Sequence, residues 1–317
     1  MPTSANSSTH GAASTATIVL SFGCVYIFWG STYTAIHIGG QTMPALLMAG
    51  ARFVISGGIL LAWCKWRGLR IRLSGYELRM LSLLGFLLLG CSNVGLIYAE
   101  QVMPSGLASL LYAGTPLYVA IAERFLPTGE PISRRGWFGL LLGFAGLSAM
   151  LVPSIQTSMH GNKALMLALV ALIGGTFSWA AGSLISRHAR LKVNIFVAAA
   201  WQMLLAGVLN TLAGTVLGEW PAFHPNAAGW ASVAYLITFG SLIGYTAFIY
   251  LLEHVPVAKV MSYTYVNPVV AVLLGMAMLH EHLVSSEYVG MAAIIIAVFL
   301  LTTAQIKTRP AVEEPQA

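Results

Sequence analysis

Two stretches decide how this chain is built: GEPISRRGWFGLLLGFAGL, residues 129–147, and HEHLVSSEYVGMAAIIIAV, residues 280–298. Laying Glu130 on Glu281 also lays Gly139 on Gly290 (139 − 130 = 290 − 281 = 9). Arg134 and Arg135 then fall on Ser285 and Ser286. Basic residues in short loops mark the cytoplasmic side of a membrane protein. A duplicated segment that keeps its glutamate and loses its arginines is therefore expected to thread the bilayer the other way up, the pattern of inverted-repeat membrane carriers.

Composition puts the chain in a bilayer. Charged residues make up 8% of it and hydrophobic ones 57%, where a soluble domain carries roughly 25% charge; mean hydropathy is +0.79. Ten apolar runs, helices 1 to 10, follow in order: 17–38, 45–64, 78–98, 103–126, 136–153, 164–186, 194–216, 229–252, 256–279 and 287–305. Each is close to the roughly 20 residues that cross a hydrocarbon core of about 30 Å. Short loops and two tails remain, 1–16 and 306–317, which leaves no room for a soluble catalytic domain. The first repeat covers 17–153 and the second 164–305.

The net charge of +6 does not call for a nucleic acid, because of where the charges fall. Lys65, Arg67, Arg70, Arg72, Arg79, Arg124, Arg134, Arg135, Arg187, Arg190, Lys192, Lys259, Lys307 and Arg309 all lie on one side of a ten-pass chain with both tails on that side. The other side receives Lys163, and Arg52 stays inside the membrane (14 + 1 + 1 = 16, the full Lys and Arg count). The basic side, and with it both termini, is expected to be cytoplasmic. The tail 1–16 has no Lys or Arg, so it lacks the charged start of a signal peptide, and helix 1 is expected to be retained. Cys24, Cys64 and Cys91 are odd in number and lack pairing or ligand spacing, so they read as small packing residues without disulfide or metal.

The duplication runs the whole length. Trp29 meets Trp179, Arg52 meets Gln202 and Gly57 meets Gly207, each 150 residues on; Tyr98 meets Tyr250, Pro104 meets Pro256 and Pro116 meets Pro268, each 152 on. With five helices per copy, an odd number, the second copy must enter from the opposite face, as the charges also say. WGSTYTAIHIG, MAGARF, YAGTPLYVAIAERF, GEPISRRGWFGLLLGFAGL and YVNPVVAVLLG followed by HEHLVSSEYVG together resemble the drug/metabolite transporter superfamily, and within it the ten-helix EamA-type exporters of bacterial inner membranes. The resemblance covers roughly 17–305, both copies. It implies an all-helical integral membrane fold of two intertwined five-helix bundles around a central cavity, and a role in moving small metabolites, usually outward.

Polar groups inside the apolar runs are the candidates for that cavity. Pro116 and Pro268 stand twelve residues beyond Pro104 and Pro256 (116 − 104 = 268 − 256 = 12). A proline inside a helix pushes away the carbonyl four residues back, here those of Tyr112 and Thr264, and such breaks persist where they face protein or a wet cavity. They are read as hinges, with Tyr112, Thr115, Tyr265 and Asn267 beside them on the cavity. Arg52 is the one basic residue near mid-membrane; burial costs roughly 2.5 kcal/mol or more, so it must point inward, either to bind a substrate carboxylate bidentately or to tie helix 2 to a neighbour. Its repeat partner Gln202 is polar and neutral. Trp29, Ser31, Thr32 and Tyr33 cluster in helix 1, with Trp179 and Ser183 opposite in helix 6; Asn93, Tyr98 and Tyr245 add polar groups in helices 3 and 8. Aromatics, hydroxyls and amides suit a small amphipathic ligand.

These residues point to a secondary transporter that exports a small neutral or zwitterionic metabolite, an amino acid or similar compound. A phosphorylated-metabolite or nucleotide-sugar carrier needs more cavity cations than Arg52, with Lys259 the one available addition. GSLIG at Gly240 lacks the serine of GxSxG and no HExxH occurs, so an intramembrane hydrolase is disfavoured; no Walker A pattern is present either. A membrane scaffold or receptor would not need two repeat-matched prolines. No cofactor is implied. The partners called for are a small-molecule substrate and the lipid bilayer, with a homodimer left open and no nucleic acid. Glu100 and Glu281 are the candidates for proton coupling. His280 and His282 flank Glu281, but His-x-His places its rings on different helix faces, and the match to Glu130 favours a structural loop role.

Overall fold

The computed structural model describes residues 14–102, 112–127, 129–156, 163–189, 191–279 and 285–304, and over them the chain is built from helices. Six are long and apolar enough to cross a membrane: Thr15–Gly40, Ala45–Trp66, Gly75–Ala99, Met166–Ala189, Ile195–Val216 and Ala227–His254. These are helices 1, 2, 3, 6, 7 and 8. Helix 4 is described over Thr115–Phe125, helix 5 over Arg134–Gln156, helix 9 as Val257–Val260 and Tyr263–Leu279, and helix 10 over Ser285–Thr302.

The repeat is written in the helix ends. Ser74 opens helix 3 with a capping box: its hydroxyl accepts the Glu77 N–H, and the Glu77 carboxylate accepts the Ser74 N–H, filling two donors that a helix start leaves unpaired. Asn226 does the same work for helix 8 by accepting the Gly229 N–H at 2.8 Å, and it stands at the matching place (226 − 74 = 152). Helices 2 and 7 end alike. Gly68 and Gly218, 150 apart, take φ of 71° and 73°, the left-handed conformation that glycine adopts without penalty. Behind them Leu69 N–H donates to Cys64 O and Glu219 N–H to Gly214 O, which closes a Schellman turn at each end.

Small residues set the packing. Helix 2 lies along helix 7 and helix 5 along helix 10, the two most extensive pairings among the described residues. At the first crossing, a Cβ on Gly57 would stand 2.5 Å from Leu204 N, and one on Gly207 would strike Val54 N. At the second, a Cβ on Gly139 would meet Ala297 O and one on Gly146 would meet Gly290 O, both at 3.0 Å. Close backbone approach is what small residues provide where lipid supplies no hydrophobic drive between helices. Helix 1 packs on helices 8 and 9, while its counterpart helix 6 packs on helices 3 and 4, so the two copies are interlocked. Met166, Leu167, Val170, Ile173 and Phe177 form an exposed apolar stripe on helix 6, as a lipid-facing surface requires.

Three helices widen to π geometry at mid-length: Val25–Trp29 in helix 1, Phe86–Ser92 in helix 3 and Leu236–Tyr245 in helix 8. Such turns redirect backbone groups, frequently at functional sites. The proline hinges differ from expectation. Helix 4 breaks at a turn over Ala113–Gly114, and Pro116 sits in the first turn of Thr115–Phe125, where its missing N–H would have had no partner anyway. The Tyr112 carbonyl is taken by the Thr115 hydroxyl at 2.5 Å. In helix 9 the turn falls earlier, at Met261–Ser262, and Pro268 remains inside the helix. The two prolines match in sequence but occupy different positions relative to their breaks.

Candidate binding cavity

Four aromatic rings meet at the centre of the molecule. Trp29 from helix 1 and its repeat partner Trp179 from helix 6 pack edge to face with centroids 5.6 Å apart. Phe248 lies 5.1 Å from Trp29 and 5.0 Å from Trp179, and Tyr263 lies 5.0 Å from Trp29. Pairs of this kind add about 0.5–1.5 kcal/mol each beyond their burial, so the four rings form a firm floor. The indole N–H of Trp29 donates to Gly240 O at 2.9 Å, inside the π segment of helix 8.

On this floor stands a cavity of about 520 Å³, its open mouth included, lined by Trp29, Thr32, Tyr33, Ile36, Arg52, Phe53, Leu89, Asn93, Leu96, Tyr112, Trp179, Gly240, Tyr245, Tyr263 and Asn267. Both repeats contribute. On helix 1 the lining residues fall at i, i+3, i+4 and i+7, and on helix 3 at i, i+4 and i+7, so each helix presents one face. Ile36 and Leu96 carry the wall toward the helix ends at Gly40 and Ala99, the face away from the N-terminus.

Arg52 is 5% exposed and is held at its root. Its Nε donates to Ser241 Oγ at 2.8 Å, and its guanidinium lies 4.8 Å from the Phe53 ring centre. Gly240 makes room: a Cβ there would stand 2.6 Å from Arg52 Nη2. Among the described residues no carboxylate is on the wall. The Oδ1 atoms of Asn93 and Asn267 are buried with no hydrogen-bond partner among the described residues. A buried polar atom left so costs about 1–3 kcal/mol, and here the atoms belong to cavity-lining residues.

Nine of the expected cavity residues are brought together on this wall: Trp29, Thr32, Tyr33, Arg52, Asn93, Tyr112, Trp179, Tyr245 and Asn267. Six are not. Ser31 turns to Tyr235, 2.6 Å between hydroxyls; Tyr98 is 37% exposed; Thr115 and Ser183 donate back to the carbonyls of Tyr112 and Trp179. Gln202 stands behind the wall, its oxygen accepting the Tyr245 hydroxyl at 2.5 Å. Tyr265 donates to Leu140 O at 3.0 Å, against helix 5. The Glu100 side chain, and Glu281 with its histidine neighbours, fall outside the described residues. Sequence reasoning passed over Tyr263, which stands four residues before Asn267 and so shares its helix face.

Toward the N-terminal face, polar contacts bridge the helices. Tyr26 and Ser262 join helices 1 and 9, 2.6 Å between hydroxyls. Farther out, Arg187 pairs with Glu130 at 2.8 Å and donates to the Glu253 carbonyl at 2.5 Å, and the Glu130 N–H donates to Glu123 at 2.6 Å. Glu130 thus ties a loop of the first repeat to helix 6 of the second, whose Arg187 in turn reaches helix 8.

Relatives match this architecture. The chain is 37% identical over 282 residues to the uncharacterized inner membrane transporter YedA of Escherichia coli (strain K12), covering 88% of each. It is 23% identical to a protein named "Probable amino-acid metabolite efflux pump" from the same strain, covering 87% of this chain and 91% of that one. A solved crystal structure shares the fold with a TM-score of 0.74 at 22% identity, over 92% of this chain and 98% of the other. The EamA-like transporter family model matches twice, at residues 16–152 and 166–303, once per repeat. The chain is a membrane transporter and belongs to the EamA-like transporter family.

Proposed function

We propose that the chain exports a small neutral or zwitterionic amphipathic metabolite across the inner membrane by alternating access around the central cavity. The observation that carries this reading is the cavity itself: built from both repeats, floored by aromatic rings, bridged by polar contacts toward the N-terminal face, and lined by a cation and two amides whose oxygens have no partner among the described residues. Rocking one repeat against the other exposes such a site to each face in turn. The distribution of basic loops supports a cytoplasmic position for the N-terminal face and both termini. The named efflux pump among the relatives agrees with export of an amino acid or similar compound. A phosphorylated substrate finds less support: Lys259, the second cation it would need, donates to Thr302 O at 2.8 Å and is not on the wall. Among the described residues nothing on the wall pairs a nucleophile with a base.

The experiment is a metabolite profile of the medium from cells overexpressing the chain, beside cells expressing Arg52→Gln at equal membrane abundance. A compound enriched outside by the wild type and at least about tenfold less by the variant, the cost of one lost charged hydrogen bond, is the expected result. Equal medium from wild-type and empty cells, with the protein in the membrane, counts against export.

A further inference from the structure

The two repeats treat equivalent places on the cavity differently. In the second repeat Gln202 and Tyr245 close on each other at 2.5 Å. Their counterparts in the first are Arg52 (202 − 150) and Asn93 (245 − 152). The offsets are fixed by structure as well as sequence, since the helix-ending glycines of helices 2 and 7 and the caps of helices 3 and 8 repeat at the same spacings. Arg52 and Asn93 both line the cavity, yet no hydrogen bond joins them among the described residues. Where one repeat has a bond, the other has a cation and an amide on the same cavity wall.

We propose that this opening is an anion subsite that takes one carboxylate of the substrate, with the guanidinium of Arg52 as its principal donor and the amide of Asn93 beside it. The inference rests on the transport reading and deepens it. Arg52 is nineteen-twentieths buried with no ion pair among the described residues, and a buried charge without a counter-charge is strongly unfavourable. Ser241 takes the Nε–H and the Phe53 ring lies beside the guanidinium carbon; among the described residues the terminal nitrogens of the fork have no hydrogen-bond acceptor, and their donors are open to a ligand. A planar fork offering parallel N–H groups matches a carboxylate. The Asn93 oxygen has no partner, and the amide can turn either end to what arrives. The matching place in the second repeat is already closed by a neutral pair, so the cavity has one such subsite and not two. That selects substrates with a single carboxylate on an aromatic or aliphatic body, which the ring floor covers.

The test uses the full chain purified in detergent and heated with paired probes that differ at the carboxyl: phenylacetate and phenylacetamide, phenylalanine and phenylalaninamide. The acid of at least one pair is expected to raise the melting midpoint while its amide does not. In Arg52→Gln the half-saturating concentration of that acid should rise about tenfold to a hundredfold, the loss of a charged hydrogen bond, and Arg52→Lys should fall between. Asn93→Asp supplies an anion to the same cavity, so it should match or exceed the wild-type midpoint without ligand and lose the response to the acid. That variant decides the matter even if Arg52→Gln fails to fold. Equal response to acid and amide, no response to either acid, or an unchanged response in Asn93→Asp overturns the subsite. An exported compound that carries no anionic group also overturns it and leaves the transport reading standing; acid-selective binding without export of any compound does the reverse.

Discussion

Gly57 and Gly240 both leave no room for a side chain, but what they press against differs in kind. A Cβ at Gly57 meets backbone atoms of helix 7, including Ala200 O at 2.9 Å, which cannot yield without moving a helix. A Cβ at Gly240 meets the far end of Arg52 and the Thr32 methyl, at 2.6 and 3.2 Å, and the guanidinium can swing aside. Gly57→Ala is therefore expected to lower the melting midpoint and membrane yield, by an overpacking cost of about 1–3 kcal/mol. Gly240→Ala should leave yield near wild type and reduce transport about tenfold, because it displaces the Arg52 fork and its bond to Ser241. Yield and transport measured side by side check the split; a Gly240→Ala protein that transports normally would detach Arg52 from the mechanism.

At the scale of elements, helical phase sorts residues that composition alone lumps together. Polar groups inside apolar runs stood out, and that drew attention to Trp29, Ser31, Thr32 and Tyr33 as one cluster. On the folded helix only positions 29, 32, 33 and 36 share the cavity face, so Ser31 leaves the set and Ile36 joins it. The same rule keeps Asn267, adds Tyr263 and removes Tyr265. Apolar wall residues such as Phe53 and Leu89 carry no sequence signal, since lipid-facing and cavity-facing leucines look alike. The π segments were also silent, because nothing in a run such as FLLLGCS separates a widened turn from an ordinary one. The proline pair was legible as a repeat but not as geometry. Pro116→Ala, in a first turn, is expected to leave transport within about twofold. Pro268→Ala restores an N–H inside helix 9 beside Asn267 and should slow transport severalfold; initial rates of the two variants at matched expression test the difference.

For the whole molecule, membrane insertion, ten helices and the duplication were all readable from hydropathy and the paired glutamate loops, because bilayer thickness and loop charge constrain sequence directly. The interlocking of the copies was not readable from periodicity, since which helix packs on which depends on shape at crossings such as Gly57 with helix 7. We propose that the cavity above the ring floor is the substrate's path and opens to one face at a time. The direct measurement places a cysteine at Ile36, on the wall toward the face away from the N-terminus, in a chain whose Cys24, Cys64 and Cys91 are replaced by serine or alanine. A second chain carries the cysteine at Ser262, beneath the floor. Intact cells are then treated with a membrane-impermeant maleimide, with and without the exported compound. Ile36→Cys is expected to be labelled from outside and protected by the compound, while Ser262→Cys is not labelled. Labelling of Ser262→Cys from outside, or labelling of Ile36→Cys that the compound leaves unchanged, would contradict it.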